Sequence, residues 1–132
     1  MTTSDLPAEG RPDVSTEGTE APFDDVITLS TSTGEDGVVT VTVVGEVDTF
    51  TAPVLRSTLD SQLEQQPREL VIDLSGVQFL GSAGLAVLVE TQKSSRAREV
   101  ALRLIATTRA VTRPLEVTGL IDLFTIADST AR

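Results

Sequence analysis

Residues 69–88 read ELVIDLSGVQFLGSAGLAVL. The opening ELVIDLS is almost wholly apolar, rich in β-branched residues and too short for a helix, which predicts a strand buried on both faces, as in a parallel sheet. From Ser82 the period changes. Leu85, Leu88, Val89 and Gln92 recur at helical intervals and polar residues accumulate later, so a helix is expected from Ser82 to about Ala97. A loop is expected between the two. A buried strand feeding a helix is the leading half of a β–α–β unit, and it sets the class of the whole chain as α/β.

Upstream, VITLST (26–31) and VVTVTVVGEV (38–47) have strand composition, and the second alternates Val39, Val41 and Val43 with Thr40 and Thr42. Gly34-Glu35-Asp36-Gly37 supplies turn chemistry between them, so an antiparallel hairpin is expected. Thr51 as a helix cap, Pro53 in the first turn and Leu55, Leu59 and Leu63 at four-residue spacing predict an amphipathic helix ended by Pro67. Downstream, ALRLIA (101–106) reads as a strand. A short helix runs to Gly119 through Val111 and Leu115, with Thr112 expected as its cap so that Pro114 falls in the first turn. LFTIAD (123–128) reads as a last strand. The expected architecture is a mixed, mostly parallel sheet of four to five strands with helices packed against it and right-handed crossovers.

The 132 residues suit one domain. Residues 1–25 mix Pro, Gly, Ser and Thr with Asp5, Glu9, Asp13, Glu17, Glu20, Asp24 and Asp25 against Arg11 alone, which predicts a disordered acidic N-terminal tail before a domain at 26–132. A formal charge of -10 argues against nucleic-acid binding. With no Cys and no His, disulfide, thiolate and common zinc chemistry are excluded, and no cofactor is implied. The first 22 residues do not have a secretory pattern and no apolar run is long enough for a membrane, so a cytoplasmic protein is expected.

Ser82 is the first candidate for function. Gly81 and Gly84 beside it free the backbone and keep its surroundings unbulky, so its hydroxyl is expected to sit exposed at a helix N-terminus, a favourable place for a phosphate. The plainer reading is a capping serine without further role. Ser75, Thr49 and Thr51 compete as hydroxyl sites, but Ser75 is expected to cap a turn after Asp73 and Thr51 to cap its helix. Asp73 ends an apolar strand and either lines the ligand edge of the sheet or accepts in a turn. LGSAG has half of a nucleophile elbow, but the chain has no His for a base and the segment lacks the Lys of a phosphate loop. An enzyme is not expected. Gln92 and Lys93 are surface candidates on the second helix.

GEVDTFTAP (45–53) together with VIDLSGVQFLGSAGLAVLV (71–89) resembles the two signature stretches of the STAS family of anti-sigma factor antagonists, over roughly Val26 to Asp128. The resemblance implies a STAS fold and reversible binding to an anti-sigma factor that is itself a serine protein kinase, thereby releasing a sigma factor. It implies phosphorylation at Ser82 by that kinase, removal of the phosphate by a phosphatase, and Asp48 as the acidic neighbour of the serine. The family usually has aspartate where this chain has Gly81, and Ala83 is within its common range. A monomer is expected when the protein is free. The alternative is a STAS scaffold or sensory module of a multi-protein or transporter complex without a phospho-switch.

Overall fold

The computed structural model describes residues 27–127. The expected tail at 1–25 lies outside them. In chain order the elements are β1 (Thr28–Thr33), β2 (Val38–Val47), α1 (Ala52–Glu64), β3 (Glu69–Leu80), α2 (Ser82–Ala97), β4 (Ala101–Ile105), α3 (Arg109–Val117), a 3-10 turn (Leu120–Leu123) and β5 (Thr125–Ala127). The sheet has strand order β1-β2-β3-β4-β5, antiparallel only between β1 and β2. This is the expected mixed α/β sheet. The hairpin turn closes through Gly34 N–H on the Val38 carbonyl at 2.8 Å, with Gly37 at φ 84°, a backbone state that favours glycine.

Alternation decides what is buried. Val39, Val41 and Val43 of β2, Leu70, Ile72 and Leu74 of β3, and Leu102 and Leu104 of β4 join Leu55, Leu59 and Leu63 of α1, Leu85 and Leu88 of α2, and Val111 and Leu115 of α3 in one core. Val71 and Ile105 are buried as well, yet stand outside that cluster at the alternate positions of their strands. The helices thus gather on one face, as right-handed crossovers stepping in one direction require. In α2 the inner face is turned slightly from the expected one: Val87, Thr91 and Ser95 are buried while Val89 and Gln92 are half-buried. Thr91 and Ser95 tolerate burial because their hydroxyls donate to the carbonyls of Val87 and Gln92, each at 2.8 Å.

Two expectations about element ends are corrected. The strand opened by ELVIDLS does not give way to a loop; β3 continues to Leu80. Its register against β2 slips between Thr42 and Val44 and again between Gly45 and Glu46, β3 having one residue too many each time, so one bulge between Asp73 and Gly76 and another at Gln78 let the pairing run on to Leu80. Thr108, not Thr112, is the N-cap residue of α3, and Pro114 lies inside the helix rather than in its first turn. Burial of Val111 and Leu115 sets that boundary and outweighs the hydrogen bond that proline deletes. Gly119, at φ 76°, ends the helix as expected.

Candidate functional site

The site is built where β2 and β3 end side by side. Gly81 N–H donates to the Val47 carbonyl at 2.9 Å, so the residues that follow, Asp48 and Ser82, leave the sheet from neighbouring positions. Gly84 tightens this junction. A Cβ there would stand 2.6 Å from Val47 Cγ1 and 2.7 Å from Leu80 Cδ1, so only glycine lets the first turn of α2 press against the end of β2. Gly81 is different: at φ -92° and ψ -178° its backbone is extended and open to any residue. What fills its surroundings is Phe79, whose Cε2 lies 3.0 Å from the position of a Cβ at Gly81.

Ser82 is the first helical residue of α2, with Gly81 in the cap position, so the serine is not the N-cap. It is exposed, and among the described residues its hydroxyl has no hydrogen-bond partner. Leu85 N–H reaches the Gly81 carbonyl at 3.0 Å, whereas the amides of Ser82, Ala83 and Gly84 have no acceptor among the described residues. No side chain caps the helix and no acidic residue stands in its first turn. Three free donors and the positive end of a 16-residue helix therefore lie at the turn that carries a free hydroxyl.

Asp48 is held by the turn into α1. Its Oδ1 accepts from Phe50 N–H at 2.9 Å and Thr51 N–H at 3.0 Å, while Asp48 N–H donates to Thr51 Oγ1 at 2.9 Å. The exchange is a reciprocal capping arrangement with the roles of the two residues set by position. Thr51, buried at the helix N-cap, was expected to cap with its side chain; instead its hydroxyl donates back to the Glu46 carbonyl at 2.8 Å. The Thr51 amide foremost, then those of Phe50 and the Thr51 hydroxyl, holds the Asp48 carboxyl below its ordinary range against a smaller opposing effect of desolvation. Asp48 is thus an immobilised anion at neutral pH.

Other candidates are accounted for. Ser75 caps no turn; its amide and hydroxyl donate to Asp73 Oδ1 at 3.0 and 2.5 Å, within the first bulge of β3. Gln92 donates to the Leu123 carbonyl at 2.6 Å and ties α2 to the 3-10 turn. Lys93 ends a shallow groove of about 390 Å³ that starts at Ser82 and follows Leu85, Ala86, Val89 and Glu90 past Leu120. Arg56 of α1 and Glu90 of α2 form an exposed ion pair across the two helices. Sequence reasoning passed over Phe50 and Phe79, which are 87% and 50% exposed. Two of only four Phe residues falling inside the two stretches singled out for the site was the available signal.

Among the described residues no three His, Cys, Asp or Glu side chains gather as for a metal, and no helix is long and apolar enough to cross a membrane.

Comparison with known proteins places the chain in a family. The profile of the STAS domain family matches residues 30–132. The chain is 34% identical over 100 residues to the anti-sigma-F factor antagonist RsfB of Mycobacterium tuberculosis, covering 76% of this chain and 80% of that protein. It is 29% identical over 99 residues to the anti-sigma-B factor antagonist of Staphylococcus aureus, covering 75% and 92%. The crystal structure of an anti-sigma factor antagonist from Mycobacterium paratuberculosis superposes with a TM-score of 0.74 at 38% identity, over 85% of this chain and 92% of that one. With the family profile matching 30–132, a relative at 34% identity and a superposable structure at 38% identity, the chain belongs to the STAS domain family.

Proposed function

We propose that this protein is an anti-sigma factor antagonist that binds a serine-kinase anti-sigma factor, frees a sigma factor by doing so, and is released when Ser82 is phosphorylated. The names of its relatives support the antagonist part of the reading. The single observation that supports the switch is the exposed, unbonded Ser82 hydroxyl at an uncapped helix start beside the fixed carboxylate of Asp48. A phosphoserine brings about -1.5 to -2 charges, which the free amides of the first turn accept. The fold survives the modification. A partner that buries neutral Ser82 against Asp48 then meets a dianion beside a second anion, at a cost of several kcal/mol and about a thousandfold or more in affinity.

In this reading a phosphatase restores the neutral serine, the binding domain is the stretch 26–132 that follows the acidic segment 1–25, and the exchange takes place in the cytoplasm. The test is incubation of the full chain with a cognate serine-kinase anti-sigma factor and ATP, followed by phosphopeptide mass spectrometry. One phosphate on Ser82 is expected. Tight binding without modification keeps the antagonist and discards the switch.

A further inference from the structure

We infer that Phe50 and Phe79 are the anchors by which the anti-sigma factor grips this protein, in an apolar cleft rimmed by basic side chains. The inference rests on the antagonist reading and names the chemistry of its partner. Phe50 is 87% exposed at the connection after β2, and Phe79 is 50% exposed near the end of β3; Phe124, by contrast, is buried. The Gly81–Val47 hydrogen bond joins the two segments that carry them, and the Phe79 ring lies over Gly81, the residue before Ser82. Val54, one helical turn beyond Phe50, is 50% exposed as well. Two large water-facing aromatic side chains on adjoining segments, one of them over the residue before Ser82, are apolar surface of the kind that marks interaction sites, and aromatic residues supply most hot spots in interfaces.

Charge selects the occupant. The charges nearest the two rings in chain and register are the acids Glu46 and Asp48, whereas Glu90, farther along α2, is paired with Arg56. Glu46 stands opposite Phe79 in the β2–β3 register, and Asp48 is held as an anion two residues before Phe50. A second copy of this chain would set these acids against themselves, whereas a basic rim complements them.

The test is calorimetric titration of a purified serine-kinase anti-sigma factor with the full chain and with Phe50→Ala, Phe79→Ala and Val117→Ala. Val117 is a control, 71% exposed on α3. Each Phe variant is expected to weaken binding about thirtyfold, which is about 2 kcal/mol at 1.4 kcal/mol per tenfold. Val117→Ala is expected to stay within about twofold, and wild-type affinity is expected to fall as salt rises. Phe50→Ala removes a side chain with little to pack against, and Phe79→Leu keeps an apolar cover over Gly81 if Phe79→Ala unfolds. Wild-type binding with both Phe variants at wild-type affinity overturns the anchors alone, and an affinity independent of salt overturns the basic rim. A wild-type chain that binds no anti-sigma factor overturns the antagonist reading together with this one. A dimer of the free chain that Phe50→Ala dissociates in sedimentation would assign the rings to a second copy and overturn it too.

Discussion

Gly84 stands so close to Val47 that a single added methyl group would lie 2.6 Å from Val47 Cγ1. Both Val47 and Leu80, the other neighbour of that methyl, are buried and cannot swing away. Gly84→Ala is therefore expected to cost about 1–3 kcal/mol through overpacking, although alanine favours helix. Gly81→Ala meets only the edge of an exposed ring on an ordinary extended backbone, and should change stability by about 0.5 kcal/mol or less. Urea denaturation of the two variants checks the contrast; equal losses would show that Gly84 is not the tighter site.

The Asp48–Thr51 exchange makes a second expectation about pH. The folded carboxyl titrates below its ordinary value of 3.8, so its contribution to stability is present above the unfolded value and is lost as pH falls through the folded one. Carbon-detected NMR of the Asp48 carboxyl should show the depressed midpoint. Thr51→Ala removes the hydroxyl that accepts from Asp48 N–H and donates to the Glu46 carbonyl, and should raise the midpoint and cost about 1 kcal/mol of stability. An unchanged midpoint in that variant would leave the depression to the two backbone amides alone.

What could be read beforehand follows from what periodicity carries. Burial of Leu55, Leu59 and Leu63 and the bounds of α2 at Ser82–Ala97 are side-chain patterns, and they were legible. The extension of β3 through Gly76 and Gln78 was not, because bulges depend on a partner strand whose register no local pattern specifies. Ser82 was placed correctly at the helix start, and only the plainer alternative, a capping serine, fails, because Gly81 holds the cap position. Whether a serine is the capping residue or the first helical one turns on the ψ of Gly81, which composition does not reveal. Phe50 and Phe79 went unread for a similar reason: exposure of a large apolar residue is a tertiary fact, and in a β-rich segment such a residue is ordinarily assigned to the core.

Arg103 and Glu69 offer a test away from the site. The guanidinium meets Glu69 Oε1 at 3.0 Å with both side chains mostly buried, while Arg103 Nε has no partner. Removing one charge leaves the other desolvated, so Glu69→Ala is expected to cost about 3 kcal/mol. The double variant Glu69→Leu/Arg103→Met should recover most of that loss, since an incompletely satisfied pair contributes little over apolar packing. Thermal unfolding of the set decides; a double variant as unstable as Glu69→Ala would mean that the pair contributes net stability.

The last expectation concerns the free amides at the start of α2. With no side-chain cap and no acid in the first turn, a phosphate on Ser82 supplies the missing negative charge and should stabilise the folded protein by about 0.3–1 kcal/mol at low salt. Asp48 opposes this by like-charge repulsion, so the gain should be larger in Asp48→Asn, and both gains should shrink as salt is raised. The same dianion should weaken partner binding, leaving Ser82→Ala bound whether or not ATP is present and Ser82→Glu bound poorly. Melting temperature and affinity then move in opposite directions on phosphorylation. A modified protein that melts lower than the unmodified one would place the phosphate away from the helix axis, and loss of binding would then have to come from damage to the fold rather than from charge at the interface.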